Sequence, residues 1–182
     1  VMVTPQKMTY TFREDGLLLS IADPNDNKIE LSYHGGVLTR VETIGAAMTF
    51  EYGEAGKIAS VTDHTGRKVE YEYDELQHDL LAMKLPDGAI IRYEYDDKNQ
   101  ITKITNPNGT AQLENRYDDE GRVIYQKDFF GAEGTIKYEP EANRTITTDP
   151  LGRVKIFEFD ERYRQTAIHY PDGTVERFEY DD

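Results

Sequence analysis

Residues 88–109 read GAIIRYEYDDKNQITKITNPNG, and this stretch decides the fold. Two segments rich in β-branched and aromatic residues, 89–95 and 100–105, are separated by the polar residues 96–99. Short segments of this kind between turn signals are typical of β-hairpins. In the closing turn, residues 106–109, proline at the second position suits φ near −65° and glycine at the fourth tolerates a positive φ. The stretch therefore predicts one β-hairpin and the start of another.

The same pattern recurs along the whole chain of 182 residues. One aromatic residue returns every 19 to 22 residues, and a glycine precedes most of these aromatics by seven or eight residues. A fixed period of this length indicates a repeat architecture, in which each repeat buries apolar surface against its neighbours. The repeat-structural residues are Phe12, Tyr33, Tyr52, Tyr73, Tyr95, Tyr117, Tyr138, Phe159 and Tyr180, with Gly45, Gly66, Gly88, Gly109, Gly131, Gly152 and Gly173.

The first strand of each repeat alternates apolar and charged residues. Tyr71 and Tyr73 point to one face and Glu72, between them, points to the other. This period of two indicates a strand with one apolar and one wet face, and a helix does not produce it. The sequence thus predicts an all-β fold, a repeat array of antiparallel β-hairpins that forms a long curved sheet.

The second strand of each repeat breaks strict alternation. Ile58 and Val61, like Ile101 and Ile104, lie three residues apart. A β-bulge in each repeat would supply the extra residue and bend the sheet. The segments 77–79 and 139–143 depart furthest from the repeat and predict irregular turns.

The recurring string resembles the YD repeat, also called the Rhs repeat. It reads Arg-Tyr-Glu-Tyr-Asp at 92–96, Asn-Arg-Tyr-Asp-Asp-Glu-Gly-Arg at 115–122 and Arg-Phe-Glu-Tyr-Asp at 177–181. The turn Asp-Pro-Leu-Gly-Arg at 149–153 resembles the connecting turn of that family. The resemblance extends from about residue 10 to the end, and some copies differ, as where His34 follows Tyr33.

The resemblance implies a large bacterial protein that is secreted or displayed on the cell surface. Members of the family are insecticidal toxin complexes, polymorphic toxins and animal teneurins, in which the hairpins form a hollow shell. We expect residues 1–182 to be one array of about eight repeats of 21–22 residues, truncated at both ends. Its role would be structural, encapsulating or displaying another domain. The expected partners are other repeats of the same parent chain and an encapsulated toxin domain.

Charge and composition argue against several classes of function. The chain has 35 acidic and 21 basic residues, and the net charge of −14 opposes binding to nucleic acid. No apolar run approaches the length that crosses a bilayer, so membrane insertion by this segment is not expected. The absence of cysteine excludes disulfides and thiol chemistry.

A second interpretation is a cell-surface adhesion module. Exposed tyrosines stack on sugar rings, so the aromatic face could bind a cell-surface glycan. We favour a structural ladder, because aromatic residues pack well on sheets and stabilise their cross-strand neighbours. Glycan-binding hairpin repeats of similar period rely on tryptophan, and this chain has none.

No catalytic, cofactor-binding or metal-binding residue is predicted. The four histidines stand in different repeats, without the spacing of a metal site, and no serine lies in a nucleophile elbow. Residues 23–27 read DPNDN and could attract calcium, but aspartate and asparagine also cap turns through backbone hydrogen bonds. Residues 149–153 partly match the self-cleaving site of the family's bacterial shells, but Arg153 replaces leucine. We expect an ordinary turn there and no enzymatic activity.

The isolated chain is expected to associate with itself. It begins and ends within a repeat, so its terminal strands would leave backbone hydrogen-bonding groups unpaired. Its aromatic face would also lack an opposite wall. The net charge of −14 opposes association, which should therefore strengthen as salt screens the repulsion.

Overall fold

A computed structural model describes residues 1–76 and 78–181, and it is all-β. Within these residues there are 18 strands and one short 3₁₀ turn, Pro140–Ala142. The all-β fold of antiparallel β-hairpins expected from the sequence is confirmed. The chain divides into two units, residues 1–91 and 92–182, which are described separately below.

In the N-terminal unit, each strand pairs antiparallel with the next strand along the chain. Such a meander needs only short turns between neighbours. The strands are β1 (Met2–Val3), β2 (Thr9–Phe12), β3 (Leu18–Ala22), β4 (Lys28–His34), β5 (Val37–Thr43), β6 (Ala46–Tyr52), β7 (Ile58–Asp63), β8 (Lys68–Tyr73) and β9 (Leu80–Lys84).

The C-terminal unit repeats this arrangement, again with each strand antiparallel to the next. Its first strand, β10, starts just before the division. The strands are β10 (Ile90–Tyr95), β11 (Ile101–Thr105), β12 (Ala111–Tyr117), β13 (Val123–Asp128), β14 (Glu133–Glu139), β15 (Arg144–Thr148), β16 (Val154–Phe159), β17 (Gln165–His169) and β18 (Val175–Arg177).

The β-bulge predicted in the second strand is confirmed. Glu51 pairs with Ser60 and Tyr52 pairs with Ile58, so Ala59 is the extra residue. This insertion explains why apolar residues of the second strand lie three apart while their partners lie two apart. Bulged residues at the same place in other repeats are Leu19, Thr39, Leu81, Thr102, Ile124 and Thr166. The curvature expected from repeated bulges stays a prediction.

Most turns share one hydrogen-bonding scheme over five residues. At 149–153, the N–H of Asp149 donates to the carbonyl of Arg153 (3.0 Å), and the N–H of Gly152 donates to the carbonyl of Asp149 (2.9 Å). The fourth residue has a positive φ, which is +75° at Gly152. At Gly66, Gly88, Gly109, Gly152 and Gly173 we expect either a backbone conformation that other residues avoid or crowding around a β-carbon. All five have a positive φ and open space around a β-carbon, so the backbone conformation is the reason for glycine.

Two turns were predicted to be irregular. The segment 139–143 contains the 3₁₀ turn Pro140–Ala142, followed by Asn143 with φ 47°, so that prediction is confirmed. In the other, the N–H of Asp74 donates to the carbonyl of Asp79 (2.9 Å), one residue further along than in the five-residue turns. Gln77, part of the predicted irregular segment, lies outside the described residues.

Within each unit the described strands form a single layer rather than a sandwich. Only four of the described residues are buried, and all are small: Ser20, Ser60, Ala82 and Ala167. The aromatic side chains of the apolar face are mostly half-buried, whereas Glu51, Glu72 and Glu94 on the other face are exposed. Stability must therefore come from contacts between neighbouring hairpins.

Candidate functional site

The recurring aromatic residues end the first strand of each hairpin or lie close to that end. Tyr52, for example, is the last residue of β6, and Tyr117 is the last residue of β12. Their rings are half-buried, except for Phe12 and Tyr180, which are more exposed. Because successive hairpins are stacked side by side, these rings form a ladder within each unit.

Six tyrosine hydroxyls of this ladder reach back to the preceding hairpin. The hydroxyl of Tyr52 donates to the carbonyl of Leu38 (2.7 Å), the residue just before the bulged Thr39. A bulge interrupts the regular ladder of backbone hydrogen bonds, so the hydroxyl supplies a partner where that ladder is broken. The equivalent bonds are Tyr33 to Leu18 (2.9 Å), Tyr73 to Ile58 (3.1 Å), Tyr117 to Ile101 (2.7 Å), Tyr138 to Val123 (3.1 Å) and Tyr180 to Gln165 (2.7 Å).

Phe159 shows why tyrosine is not required everywhere. The hairpin before it, β14–β15, pairs in continuous register from Thr135 with Thr148 to Glu139 with Arg144. No bulge interrupts this pairing, and the N–H of Phe159 donates instead to the carbonyl of Asn143 (2.9 Å). Without a bulge carbonyl to satisfy, a hydroxyl at this position has no such role.

Tyr52→Phe is expected to lower the free energy of unfolding by about 1 kcal/mol, because it deletes the hydroxyl and leaves the Leu38 carbonyl without that bond. The matched control is Phe159→Tyr, which adds a hydroxyl opposite a hairpin that lacks the bulge and should bring no comparable gain. Urea unfolding of both variants measures the difference. Equal stability of Tyr52→Phe and wild type would contradict the proposed role of the hydroxyl.

An aspartate and an arginine in the first turn of the repeat extend the ladder. Asp160 accepts hydrogen bonds from the backbone N–H of Arg162 (2.8 Å) and of Arg164 (2.9 Å), and from the Arg164 side chain (2.8 Å). The Arg164 guanidinium carbon then lies 5.0 Å from the centre of the Tyr180 ring. This places a cation over an aromatic face, a favourable contact.

The same arrangement joins Asp118, Arg122 and Tyr138. The Arg122 side chain donates to Asp118 (2.8 Å) and lies 4.6 Å from the centre of the Tyr138 ring. Asp, Arg and the next tyrosine therefore act as one linked group between consecutive hairpins. The motif Tyr-Asp-x-x-Gly-Arg encodes it: Asp caps the turn, Gly supplies positive φ, and Arg covers the following ring.

Other turn aspartates also accept hydrogen bonds from backbone N–H groups. Asp23, in the candidate calcium sequence, accepts hydrogen bonds from the N–H groups of Asn25 (2.8 Å) and Asn27 (2.9 Å). Asp149 does the same for Leu151 (2.9 Å) and Arg153 (2.9 Å), as expected for an ordinary turn. These contacts support the turn-capping interpretation at both places.

The histidines and carboxylates are dispersed. His169 contacts Glu158 (2.9 Å) on the charged face. Among the residues that the structure describes, no group of three or more histidine, aspartate or glutamate side chains is arranged to hold a metal ion. No described helix is long and apolar enough to span a membrane.

The irregular hairpin at 139–143 leaves a cavity in the C-terminal unit. The cavity has a volume of about 310 Å³, and its apolar walls are Tyr138, Pro140, Phe159 and Tyr163. Its polar groups include Glu139, Asn143 and Arg144. The sequence indicates the irregular turn but not the cavity, because Phe159 and Tyr163 come from the next hairpin.

Comparison with known proteins agrees with the repeat pattern. A family model described as RHS Repeat matches residues 76–111 and 141–175. This chain contains YD (Rhs) repeats. Asp160 and Arg164 lie within the second matched stretch.

Relatives of this YD-repeat chain are much longer than the chain itself. The probable deoxyribonuclease RhsB of Dickeya dadantii (strain 3937) is 29% identical over 115 residues, which are 62% of this chain and 8% of that protein. Among solved structures, that of TcdB2-TccC3 matches with a TM-score of 0.66 at 17% identity, over 92% of this chain and 11% of the other. The Tc holotoxin pore of Photorhabdus luminescens matches with a TM-score of 0.54 at 20% identity, over 90% and 9%. The structural matches show a shared fold.

The turn carboxylates make the stability of this YD-repeat chain depend on pH. The backbone N–H and then the side chain of Arg164 lower the pKa of Asp160. The hydrogen bond from Arg13 lowers the pKa of Asp15 to about 2. Because these pKa values are depressed in the folded state, the stabilisation is present above the unfolded value of about 4 and is lost as pH falls through the folded values.

We therefore expect the melting temperature to fall between about pH 4 and pH 2. In Asp160→Asn the melting temperature should fall less steeply over this pH range, because asparagine does not titrate and can still cap the turn. Asn106 already does so, accepting from the N–H groups of Asn108 (3.0 Å) and Thr110 (3.0 Å). The control Asp97→Asn removes the same charge from an exposed turn residue and should keep the wild-type slope. If the melting temperature depended on pH identically in wild type and both variants, Asp160 would not contribute to the loss of stability in acid.

Proposed function

We propose that this chain is a stretch of wall in a large secreted or surface-displayed bacterial protein of the toxin type. The wall encloses or displays another domain of the same parent protein. The observation that carries the proposal is the single-layer meander of each unit, in which tyrosine hydroxyls and arginine side chains join consecutive hairpins. A fold stabilised by neighbour contacts extends with the number of repeats rather than closing around its own core.

The low burial of the aromatic face supports a wall that contacts other parts of the assembly. With only four small buried residues in the described chain, the aromatic face keeps much of its area accessible. Monomeric proteins rarely leave large continuous apolar surfaces uncovered. We infer that other repeats of the parent chain, or the enclosed domain, cover this face.

The matched structures are TcdB2-TccC3 and a Tc holotoxin pore, which agrees with a toxin-like parent protein. The Dickeya relative is named a deoxyribonuclease, but this chain covers only 8% of it. The proposal therefore transfers no nuclease activity to this chain. It assigns a structural role and no catalytic step.

Limited proteolysis of the intact parent protein tests the enclosure. The enclosed domain should resist protease in the native protein and become sensitive in Gly152→Val, which strains a wall turn. The control Gly53→Val places valine where φ is not positive and should preserve protection. A domain that is cleaved equally fast in the native protein and after denaturation would show that the wall does not enclose it.

A further inference from the structure

The irregular hairpin carries a sequence motif that no other repeat of the chain has. Residues 141–145 read Glu-Ala-Asn-Arg-Thr. Asparagine followed two residues later by threonine, with no proline between them, is the acceptor sequence for N-linked glycosylation. An acidic residue two positions before the asparagine is the additional requirement of bacterial membrane-bound oligosaccharyltransferases. Glu141, Asn143 and Thr145 therefore supply all three of the residues that such an enzyme recognises.

The turn presents the side chain of Asn143 to solvent. Asn143 follows the 3₁₀ turn Pro140–Ala142, has φ 47° and is exposed. Its backbone is held in place, because its N–H donates to the carbonyl of Pro140 (3.0 Å) and its carbonyl accepts from the N–H of Phe159 (2.9 Å). In the part of the chain that the structure describes, its carboxamide makes no hydrogen bond. A bulky glycan attached at this surface position would displace no contact of that carboxamide.

The local fold accounts for the asparagine of this motif but not for its threonine. Asparagine tolerates a positive φ, which is reason enough for Asn143. Thr145 pairs with the ladder residue Tyr138, and an aliphatic side chain in that place would bury more apolar surface. The residues paired with ladder aromatics in six other hairpins are indeed aliphatic, and Gln165 is the further exception: Leu18, Leu38, Ile58, Leu80, Ile101 and Val123. Packing therefore gives no reason for the hydroxyl of Thr145.

A second acceptor sequence, residues 108–110, provides an internal comparison. It reads Asn-Gly-Thr and lies in a regular turn, where Asn106 accepts hydrogen bonds from the N–H groups of Asn108 (3.0 Å) and Thr110 (3.0 Å). The residue two positions before Asn108 is the uncharged Asn106, and Pro107 directly precedes Asn108. This site therefore lacks the acidic residue that Glu141 supplies in the irregular hairpin.

We propose that Asn143 is an N-glycosylation site for a transferase that requires an acidic residue two positions upstream. In the transfer, the Nδ2 atom of Asn143 attacks C1 of the first sugar of a lipid-linked oligosaccharide. The Nδ2–C1 bond forms, the bond from C1 to the diphosphate oxygen breaks, the lipid diphosphate leaves, and one proton of Nδ2 passes to water. Glu141 and Thr145 position the segment in the transferase. This modification rests on the proposed export of the parent protein but not on its wall-forming role.

Transfer with purified components tests this assignment without requiring export. The chain of 182 residues is incubated with a single-subunit bacterial oligosaccharyltransferase and an undecaprenyl-diphosphate-linked oligosaccharide, and the product is digested with trypsin. By mass spectrometry we expect one oligosaccharide on peptide 138–144 and none on peptide 104–116, which contains Asn108. A synthetic peptide of residues 138–148 is the control for the activity of the transferase.

Three variants separate recognition by the transferase from folding of the hairpin. Glu141→Gln removes the charge of an exposed residue and should abolish transfer without changing the melting temperature. Thr145→Val supplies the aliphatic side chain found in other hairpins, so it should abolish transfer while the melting temperature stays the same or rises. Thr145→Ser keeps a hydroxyl that the acceptor sequence allows, and this variant should still be modified.

Three results would overturn the assignment. They are no addition to the folded chain, addition to Asn108 in place of Asn143, and addition to Asn143 that persists in Glu141→Gln. Addition to the synthetic peptide but not to the folded chain would show that the strand pairing of Thr145 withholds the motif from the enzyme.

Discussion

Replacing Tyr52 by alanine is expected to lower the free energy of unfolding by about 2–3 kcal/mol. Truncating a fully buried aromatic residue to alanine lowers the free energy of unfolding by about 3–5 kcal/mol. The ring of Tyr52 is half-buried, so a smaller loss is expected. The substitution also removes the hydroxyl bond to the Leu38 carbonyl (2.7 Å). Both losses fall on the contact between two consecutive hairpins, so the variant tests whether the ladder joins the repeats.

Urea unfolding of Tyr52→Ala and of Tyr52→Phe separates the ring from its hydroxyl. Tyr163→Ala is the control, since it truncates a tyrosine that is 86% exposed and should change stability by no more than about 0.5 kcal/mol. If Tyr52→Ala were no more destabilising than this control, the aromatic ladder would not be the main source of cohesion in the array.

Gly152→Val is expected to lower the free energy of unfolding by about 1–3 kcal/mol. Gly152 has φ +75°, and there is open space around the position of a β-carbon, so the expected loss comes from the backbone conformation rather than from a clash. Valine is especially poor at positive φ because its branched β-carbon restricts the backbone.

The same substitution at Gly53 separates backbone strain from the general effect of adding a side chain to a turn. Gly53 has an ordinary φ, its added β-carbon would lie 4.0 Å from the carbonyl of Lys57, and the equivalent turn position elsewhere carries Arg13. We expect Gly53→Val to remain within about 0.5 kcal/mol of wild type. Equal losses at Gly53 and Gly152 in thermal or urea unfolding would remove the argument from φ.

The structure shows what the repeated aspartate and arginine do. In the sequence they form a motif by which the family is recognised, and their roles are not apparent. In the structure, Asp118 caps the turn and orients Arg122, and Arg122 covers Tyr138. One turn therefore carries backbone capping, an ion pair and contact with the next hairpin. Such a linked group favours one register between hairpins.

The sequence alone determined the features that depend on neighbouring residues. The period of two in 71–73 specified a strand, the three-residue spacing of Ile58 and Val61 specified the bulge, and the glycines specified positive φ. Each of these follows from backbone geometry within a few residues, so a single repeat already contains the information.

Only the tertiary structure decided features that join different hairpins. The reason for tyrosine at position 52 is a carbonyl 14 residues away, and Phe159 differs because the hairpin before it has no bulge. The cavity likewise combines Tyr138 of one hairpin with Tyr163 of the next turn. The sequence pattern repeats the same residue types without stating which groups meet. The register of strand pairing, which the buried face and the turn geometry set together, brings those groups into contact.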